Sequence, residues 1–249
     1  MNYKKMSTLA LTDNVRHTDQ LFIKKGKLYK IFTDFYSFED EKERNITFLL
    51  KNRISNTPNI IKKLRYHGRF IGYIMEFIPN TVTFRQAINS DIDYEKRTKA
   101  VKDVYAALKE LHNNNLFLGD VHSDNFLISK DGDGYIIDLE EMRGEGDEFK
   151  FKTLYLVKPN KDSYRINICS QYTDNVKLMI SSLSLLYDID LERYIDEREH
   201  SINLESLYNE VICKFNDERL DEYFQRLINK QDVDYFADFY FKQELIKKR

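Results

Sequence analysis

The spacing of apolar residues changes along this chain, and the change divides it into two parts. In Leu21–Phe32 (LFIKKGKLYKIF), two short β-type runs flank a polar break at Lys24–Lys27 around Gly26, which is a hairpin pattern. Ser37–Arg53 (SFEDEKERNITFLLKNR) reads as a helix: Ser37 stands at an N-cap position, acids crowd the first turn and bases close the last. Asn56–Asn59 carries the Pro that breaks it. Ile60–Leu64 and Phe70–Phe77 then return to strand character about a His67–Gly68 turn.

Past Pro79 the helical spacing dominates. Phe84–Ile88 predicts a short helix and Tyr94–His112 a long amphipathic one, with Val101, Val104, Tyr105, Leu108 and Leu111 on one stripe. Asn125–Ser129 and Tyr135–Leu139 are β-like runs split by the turn sequence Lys130–Gly134 (KDGDG). After Asp174 the expected helices are Asn175–Tyr187, Leu204–Phe215, Arg219–Asn229 and Asp234–Lys247. No internal repeat is visible. The pattern predicts an α+β chain: a small β-rich part with one helix over residues 1–78, and a larger, mainly helical part over 79–249.

Composition narrows the functional classes. The chain has 249 residues, enough for one large domain or two fused lobes. Its 39 Lys+Arg nearly cancel 41 Asp+Glu, so no whole-protein basic field exists to hold nucleic acid or an anionic membrane. Cys169 and Cys213 lie far apart without CxxC spacing, which predicts two thiols of a reducing compartment and no zinc site. The basic N-terminus lacks the apolar core of a signal peptide, and no run approaches the 18 apolar residues of a spanning helix. A cytoplasmic protein with no integral membrane segment is expected. Gly is scarce, at 8 residues.

The chemistry concentrates in Leu116–Glu140 (LFLGDVHSDNFLISKDGDGYIIDLE). Asp120, Asp124, Asn125 and Asp138 gather around one predicted turn and hairpin, with Asp138 at a strand end. Carboxylates and an amide are oxygen ligands, which suit Mg²⁺ better than a softer metal. A carboxylate beside a metal-bound polyphosphate can also orient a hydroxyl nucleophile. Taken singly, each of these residues is equally what turns and helix caps use.

The D-x-x-x-x-N pattern Asp120–Asn125, followed by Tyr135-Ile-Ile-Asp138, resembles the catalytic loop and metal-binding strand of the protein-kinase-like superfamily. His112, and Asp174 ahead of an apolar helix, fit the same frame, Asp174 resembling the buried Asp that anchors the catalytic loop. The resemblance spans roughly Leu21 to Tyr187. It implies a two-lobed kinase-like fold, ATP and Mg²⁺ as cofactors, Asp120 and His122 as catalytic residues, and Asn125 and Asp138 as metal ligands. Lys30 in KLYKIF resembles the strand lysine that pairs the nucleotide phosphates. The helix acid paired with it would be Glu43, with Glu41 in reserve, although the helical pattern puts Asn45 at that place equally well. Ile74–Ile78 resembles the interlobe hinge, where backbone groups of Glu76 and Ile78 would bond adenine and Met75 would line its pocket.

The chain departs from the family at several points. No G-x-G-x-x-G precedes Lys30, and Asn14–Gln20 and Gly26 are all that stretch offers, so Arg16 or other side chains must replace the backbone amides or nucleotide binding is weak. Asp138 is followed by Leu139-Glu140 instead of Phe-Gly, Leu118 stands where a His is usual, and no A-P-E follows. His122 stands where protein kinases carry Lys, similar to the D-x-H-x-x-N loop of aminoglycoside, choline and sugar kinases. The resemblance therefore implies an atypical bacterial- or phage-type member, similar to lipopolysaccharide-core sugar kinases and the kinase domains of lanthipeptide synthetases. Its acceptor would be Ser/Thr of a protein or peptide. The alternatives are a small-molecule or sugar acceptor, and a pseudokinase that senses nucleotide or binds a partner.

Overall fold

A computed structural model describes residues 10–11, 19–32, 39–118, 120–147, 169–197, 203–229 and 234–242. Among these, β1 (Ala10–Leu11), β2 (Asp19–Lys24), β3 (Lys27–Phe32), β4 (Ile60–Tyr66) and β5 (Arg69–Glu76) form an antiparallel sheet in the order β1-β2-β3-β5-β4. Helix α1 (Glu39–Lys51) intervenes between β3 and β4. Ser37, expected to cap it, lies outside the described residues.

The turns explain the hairpins. Lys25 (φ 51°) with Gly26 (φ 68°), and His67 (φ 48°) with Gly68 (φ 82°), join their strands by two residues of positive φ, a twist that matches the flanking strands. The period of two then sorts side chains by face. Tyr29 and Ile31 of β3 join Phe22, Leu64 and Ile74 in a small outer cluster. Lys30 and Phe32 are buried on the opposite face, where Phe32 packs on Phe70 and Tyr73.

The remainder comprises β6 (Thr81–Thr83), α2 (Phe84–Ala87), α3 (Tyr94–Asn113), β7 (Phe126–Ser129), β8 (Gly134–Ile136), α4 (Gln171–Leu186), α5 (Leu191–Asp196), α6 (Leu204–Glu210), α7 (Glu218–Ile228) and α8 (Phe236–Lys242). Strands β6, β7 and β8 form a second antiparallel sheet. Helix α3 starts at Asp93, whose carboxylate accepts from the Lys96 amide, and buries the predicted stripe. Helix α4 is buried on nearly every side, its polar residues Thr173, Asp174, Asn175 and Lys177 included. Its interior serines bond back along the helix, Ser182 to the Leu178 carbonyl at 2.7 Å and Ser184 to that of Ile180 at 2.9 Å. One core runs through both parts, from Phe32, Ile46 and Leu49 to Leu108, Leu183 and Phe236.

Several elements differ from expectation. β1, β6 and α5 were not anticipated; they hold 2, 3 and 6 residues, too few to show a period. The run Tyr135–Leu139 leaves strand geometry after Ile136, because Asp138 adopts φ 60° and starts a 3₁₀ turn over Leu139–Glu141. The helix expected over Leu204–Phe215 stops at Glu210, and a 3₁₀ turn (Ile212–Phe215) follows. Cys169 is buried and Cys213 partly buried, both as free thiols. Among the described residues no helix is long and apolar enough to cross a membrane.

Candidate active site

The loop Leu118–Asn125 is held from beneath by buried polar anchors. Asp174, in the first turn of α4, accepts the Leu118 amide at 2.7 Å and meets His112 Nε2 at 2.9 Å, while His112 Nδ1 faces the Tyr235 hydroxyl at 2.7 Å. Burial raises the Asp174 carboxyl above the ordinary range, against the pull of His112 and of that amide. A second buried carboxylate, Glu192 of α5, accepts the amide and the hydroxyl of Ser123, both at 2.8 Å. It also takes the Ser181 hydroxyl and Arg85 Nη2, each at 2.5 Å. Arg85 reaches on to Asp124 and Asp190.

On this support the Asn125 side-chain Nδ2 donates to the Asp120 backbone carbonyl at 2.9 Å. His122 Nε2 lies 3.2 Å from Asp120 Oδ2, and its Nδ1 accepts the Asp124 amide at 3.3 Å. With Nδ1 accepting, the neutral ring carries its proton on Nε2 and donates to Asp120. Burial lowers the His122 pKa, but the hydrogen bond to Asp120 and the charges of Asp120, Glu192 and Asp124 together outweigh it and leave the ring above the ordinary histidine value.

The Ile137 amide donates to the Asn125 carbonyl at 3.0 Å, which ties the end of β8 to the loop and brings Asp138 beside it. Asp138 Oδ1 contacts Lys30 Nζ at 2.9 Å. Lys30 is 5% exposed, and its ammonium also pairs with Glu140 Oε1 and, at 3.5 Å, with Asp19. Burial lowers the Lys30 pKa, yet Asp138 and Glu140 outweigh it and hold the group well above the ordinary lysine range. Burial raises Asp19. Three carboxylates around one ammonium leave an excess of negative charge, which favours a cation at the open side of Asp138. Asn125 Oδ1 and the Asp138 carboxylate are hard oxygen donors suited to Mg²⁺. Among the described residues no cluster of three or more His, Cys, Asp or Glu forms a complete cage. Such a two-donor set fits an ion that keeps water and phosphate ligands.

The expected helix acid is corrected. Glu43 does not approach Lys30; it pairs with Lys63 Nζ at 2.5 Å and with Arg65, both on β4. Glu41 pairs with Arg143, and Lys42 with Glu141 at 2.6 Å. The apolar stripe Ile46–Leu49 sets the helix register, and Asn45, one turn before Leu49, faces inward with it. Its amide donates to the carbonyls of Glu140 and Met142, each at 2.8 Å.

Glu76 and Ile78 lie where β5 leads into β6. The Glu76 amide is bonded to the Asn59 carbonyl at 2.9 Å, the Phe77 amide to that of Gly26 at 3.2 Å, and the Ile78 carbonyl accepts from the Thr81 hydroxyl at 3.1 Å. Met75 is buried opposite Leu28. A cavity of about 620 Å³ opens beside this link, lined in part by Arg53, Asn56, Glu76, Ile78 and Tyr135; Lys30, Asp120 and Asp138 are not among its walls. Arg16 lies outside the described residues.

Glu140, Tyr73, Asp19 and Glu192 belong to this constellation and were not anticipated. Glu140 stood in the quoted motif only as a departure from Phe-Gly. Glu192 sits on a helix too short to read, and Tyr73 looked like one strand aromatic among several.

No protein-family model and no curated protein matches this sequence. Solved structures do match its fold. The Cydia pomonella granulovirus kinase PK-1 superposes with a TM-score of 0.65 at 14% identity, covering 96% of this chain and 95% of that one. The yeast RNA Pol II CTD kinase CTDK-1 complex gives 0.55 at 17% identity, covering 72% of this chain and 62% of that one. The chain has the two-lobed, α+β protein-kinase-like fold, as its motifs implied.

Proposed function

We propose that this chain is an ATP- and Mg²⁺-dependent phosphotransferase whose acceptor is a hydroxyl, that of Ser or Thr in a protein or peptide. The observation that carries the reading is convergence. Lys30 from β3, the Asp120–Asn125 loop anchored on α4, and Asp138 after β8 come together, with the loop fixed to the strand end by the Asn125–Ile137 bond. Residues 1–78 would cover the nucleotide and 79–249 present the catalytic loop.

In this reading Lys30 neutralises the non-transferred phosphates, and Asn125 and Asp138 hold Mg²⁺. Bound there, Mg²⁺ supplies charge neutralisation on the polyphosphate. Asp120 accepts or orients the hydroxyl proton, and His122 fixes the carboxylate rotamer by donating to Oδ2. Positioning and electrostatics supply most of the acceleration, since phosphoryl transfer asks little covalent work of the protein. The backbone of Glu76 and Ile78 would face adenine. His122 also favours a second reading, a small-molecule or sugar acceptor, because it replaces the lysine usual beside a protein substrate. A pseudokinase is the third, favoured by the density of carboxylates around Lys30.

The test is transfer from labelled ATP with Mg²⁺, measured as self-labelling, peptide labelling and turnover with sugar acceptors. Asp120→Ala should retain the fold and lose roughly 10²–10⁴ in rate. Asp138→Ala should also lose Mg²⁺-dependent nucleotide binding. Undiminished transfer by Asp120→Ala overturns the assignment, and a wild-type protein that binds no Mg²⁺-ATP overturns the function.

A further inference from the structure

We infer that Glu140, in the loop after Asp138, is the positioning carboxylate for Lys30, so that the lysine is set without Glu41 or Glu43 of helix α1. The inference rests on the phosphotransferase reading for its consequence in catalysis, but its geometry stands apart from it.

Glu140 uses both carboxylate oxygens inward. Oε1 pairs with Lys30 Nζ, and Oε2 accepts the Tyr73 hydroxyl at 2.8 Å. Tyr73 is the residue of β5 directly opposite Lys30 in the sheet register, so both contacts come from one rung of the ladder. The Glu140 side chain is 1% exposed, and a carboxylate so placed persists only when its charge and lone pairs are met. Burial and the neighbouring carboxylates push the Tyr73 hydroxyl well above its ordinary range, which keeps it a donor.

The two candidate acids of the helix are committed elsewhere, and Asp40 faces solvent. Glu41 holds Arg143, and Glu43 holds Lys63 and Arg65. The inward position belongs to Asn45, which cannot balance an ammonium; its amide instead grips the carbonyls of Glu140 and Met142. Glu140 is therefore held from two sides, its carboxylate by the sheet and its carbonyl by the helix. It lies two residues after Asp138, so one short loop carries both close partners of Lys30. A displacement of α1 breaks the Asn45 bonds but leaves the counter-charge of Lys30 in place. Control of this site by swinging Glu41 or Glu43 onto and off the lysine is absent from this arrangement.

The deciding experiment reads Lys30 directly, without nucleotide. Reductive methylation at pH 8, quantified at Lys30 by peptide mass spectrometry, reports its free-amine fraction, which rises tenfold for each pKa unit lost. Glu140→Gln should accelerate Lys30 modification at least about tenfold, while Glu43→Gln leaves it within about twofold of wild type. Tyr73→Phe should act in the direction of Glu140→Gln, more weakly, and it decides the matter if Glu140→Gln does not fold by circular dichroism. In steady-state kinetics Glu140→Gln should lower kcat/KM for Mg²⁺-ATP by about 10²-fold, and Glu43→Gln by no more than about twofold. Unchanged Lys30 reactivity in both Glu140→Gln and Tyr73→Phe, or acceleration by Glu43→Gln, overturns the inference. A wild-type protein with no Mg²⁺-ATP binding sinks the proposed function, while the labelling arm still decides Glu140.

Discussion

Glu192 gives a direct route from packing to catalysis. Its carboxylate is buried under the Leu118–Asn125 loop and accepts the Ser123 amide and hydroxyl at 2.8 Å, the Ser181 hydroxyl at 2.5 Å and Arg85 Nη2 at 2.5 Å. Truncation to Ala leaves the Ser123 amide buried and unpaired, a cost of about 1–3 kcal/mol. The Ser181 hydroxyl can turn to a helix carbonyl and recover part of its loss. Arg85 keeps Asp124 and Asp190 and is a third exposed, so its lost ion pair contributes at most about 1 kcal/mol. The sum is about 1–4 kcal/mol, at the lower side of the cost of a broken buried pair. A domain of ordinary stability, about 5–15 kcal/mol, survives this at 25 °C with a much smaller margin. Glu192→Gln keeps an acceptor for Ser123 and should cost about 1–3 kcal/mol.

The functional part of the prediction follows from where Ser123 sits, between Asp120 and Asn125. Released from Glu192, the loop loses the contact that sets its depth, and a displacement of about 1 Å lowers turnover roughly 10²-fold. Urea unfolding followed by circular dichroism gives the stability change, and phosphotransfer by the folded protein gives kcat. If Glu192→Ala loses less than about 1 kcal/mol and its kcat equals wild type, the loop does not depend on this anchor.

Two further outcomes are expected. At Gly72, which has φ 149°, an added Cβ would meet the Lys30 carbonyl oxygen at 2.1 Å. Gly72→Ala should therefore cost about 2–5 kcal/mol through strain and overpacking and weaken Mg²⁺-ATP binding; a change below about 1 kcal/mol in urea would show that β5 yields freely. At Asp217, the N-cap of α7, burial raises the carboxyl, but hydrogen bonds from Arg219, Tyr240 and Tyr187 outweigh it and hold it well below the ordinary aspartate range. A depressed carboxyl stabilises the fold above its unfolded pKa of about 3.9 and loses that contribution as pH falls towards the folded value. Asp217→Asn should cost about 1–2 kcal/mol at pH 7, and the gap to wild type should close as pH falls from about 5 towards 2. Thermal unfolding against pH checks this, and a gap of constant size at pH 3 contradicts it.

Much of the fold was legible because its signals are local. The hairpins at Gly26 and Gly68 follow from short polar turns between strand-type runs, and both turns take positive φ. The stripe on α3 follows from its 3.6-residue period, and α4 from the apolar-rich stretch that follows Asp174. What escaped was short. TVT at β6 has no apolar alternation, and LERYID at α5 makes fewer than two turns, so neither rises above loop composition until the neighbouring helices cover it.

The site divides along a similar line. Asp120, Asn125 and Asp138 are spaced along one stretch of chain, and Asp174 announces itself as a lone acid at the head of an apolar helix. The register of α1 was decidable in principle. Asn45 lies one turn before Leu49, on the stripe that Ile46 begins, whereas Glu43 lies two positions and about 200° away. Charge on every face of the first turn hid that stripe, and the acid nearest the expected position was the wrong one. Glu140 could not be placed this way, because its partners are 110 residues upstream at Lys30 and 67 upstream at Tyr73. Only the pairing of β3 with β5 brings those two together. The same pairing explains why the chain can dispense with Glu41 or Glu43 at this site: once Tyr73 holds Glu140 beside Lys30, a fourth carboxylate, from α1, would add a buried negative charge with no further cation to meet it. Asn45 is what that position then requires, a neutral donor that fixes the loop by its carbonyls.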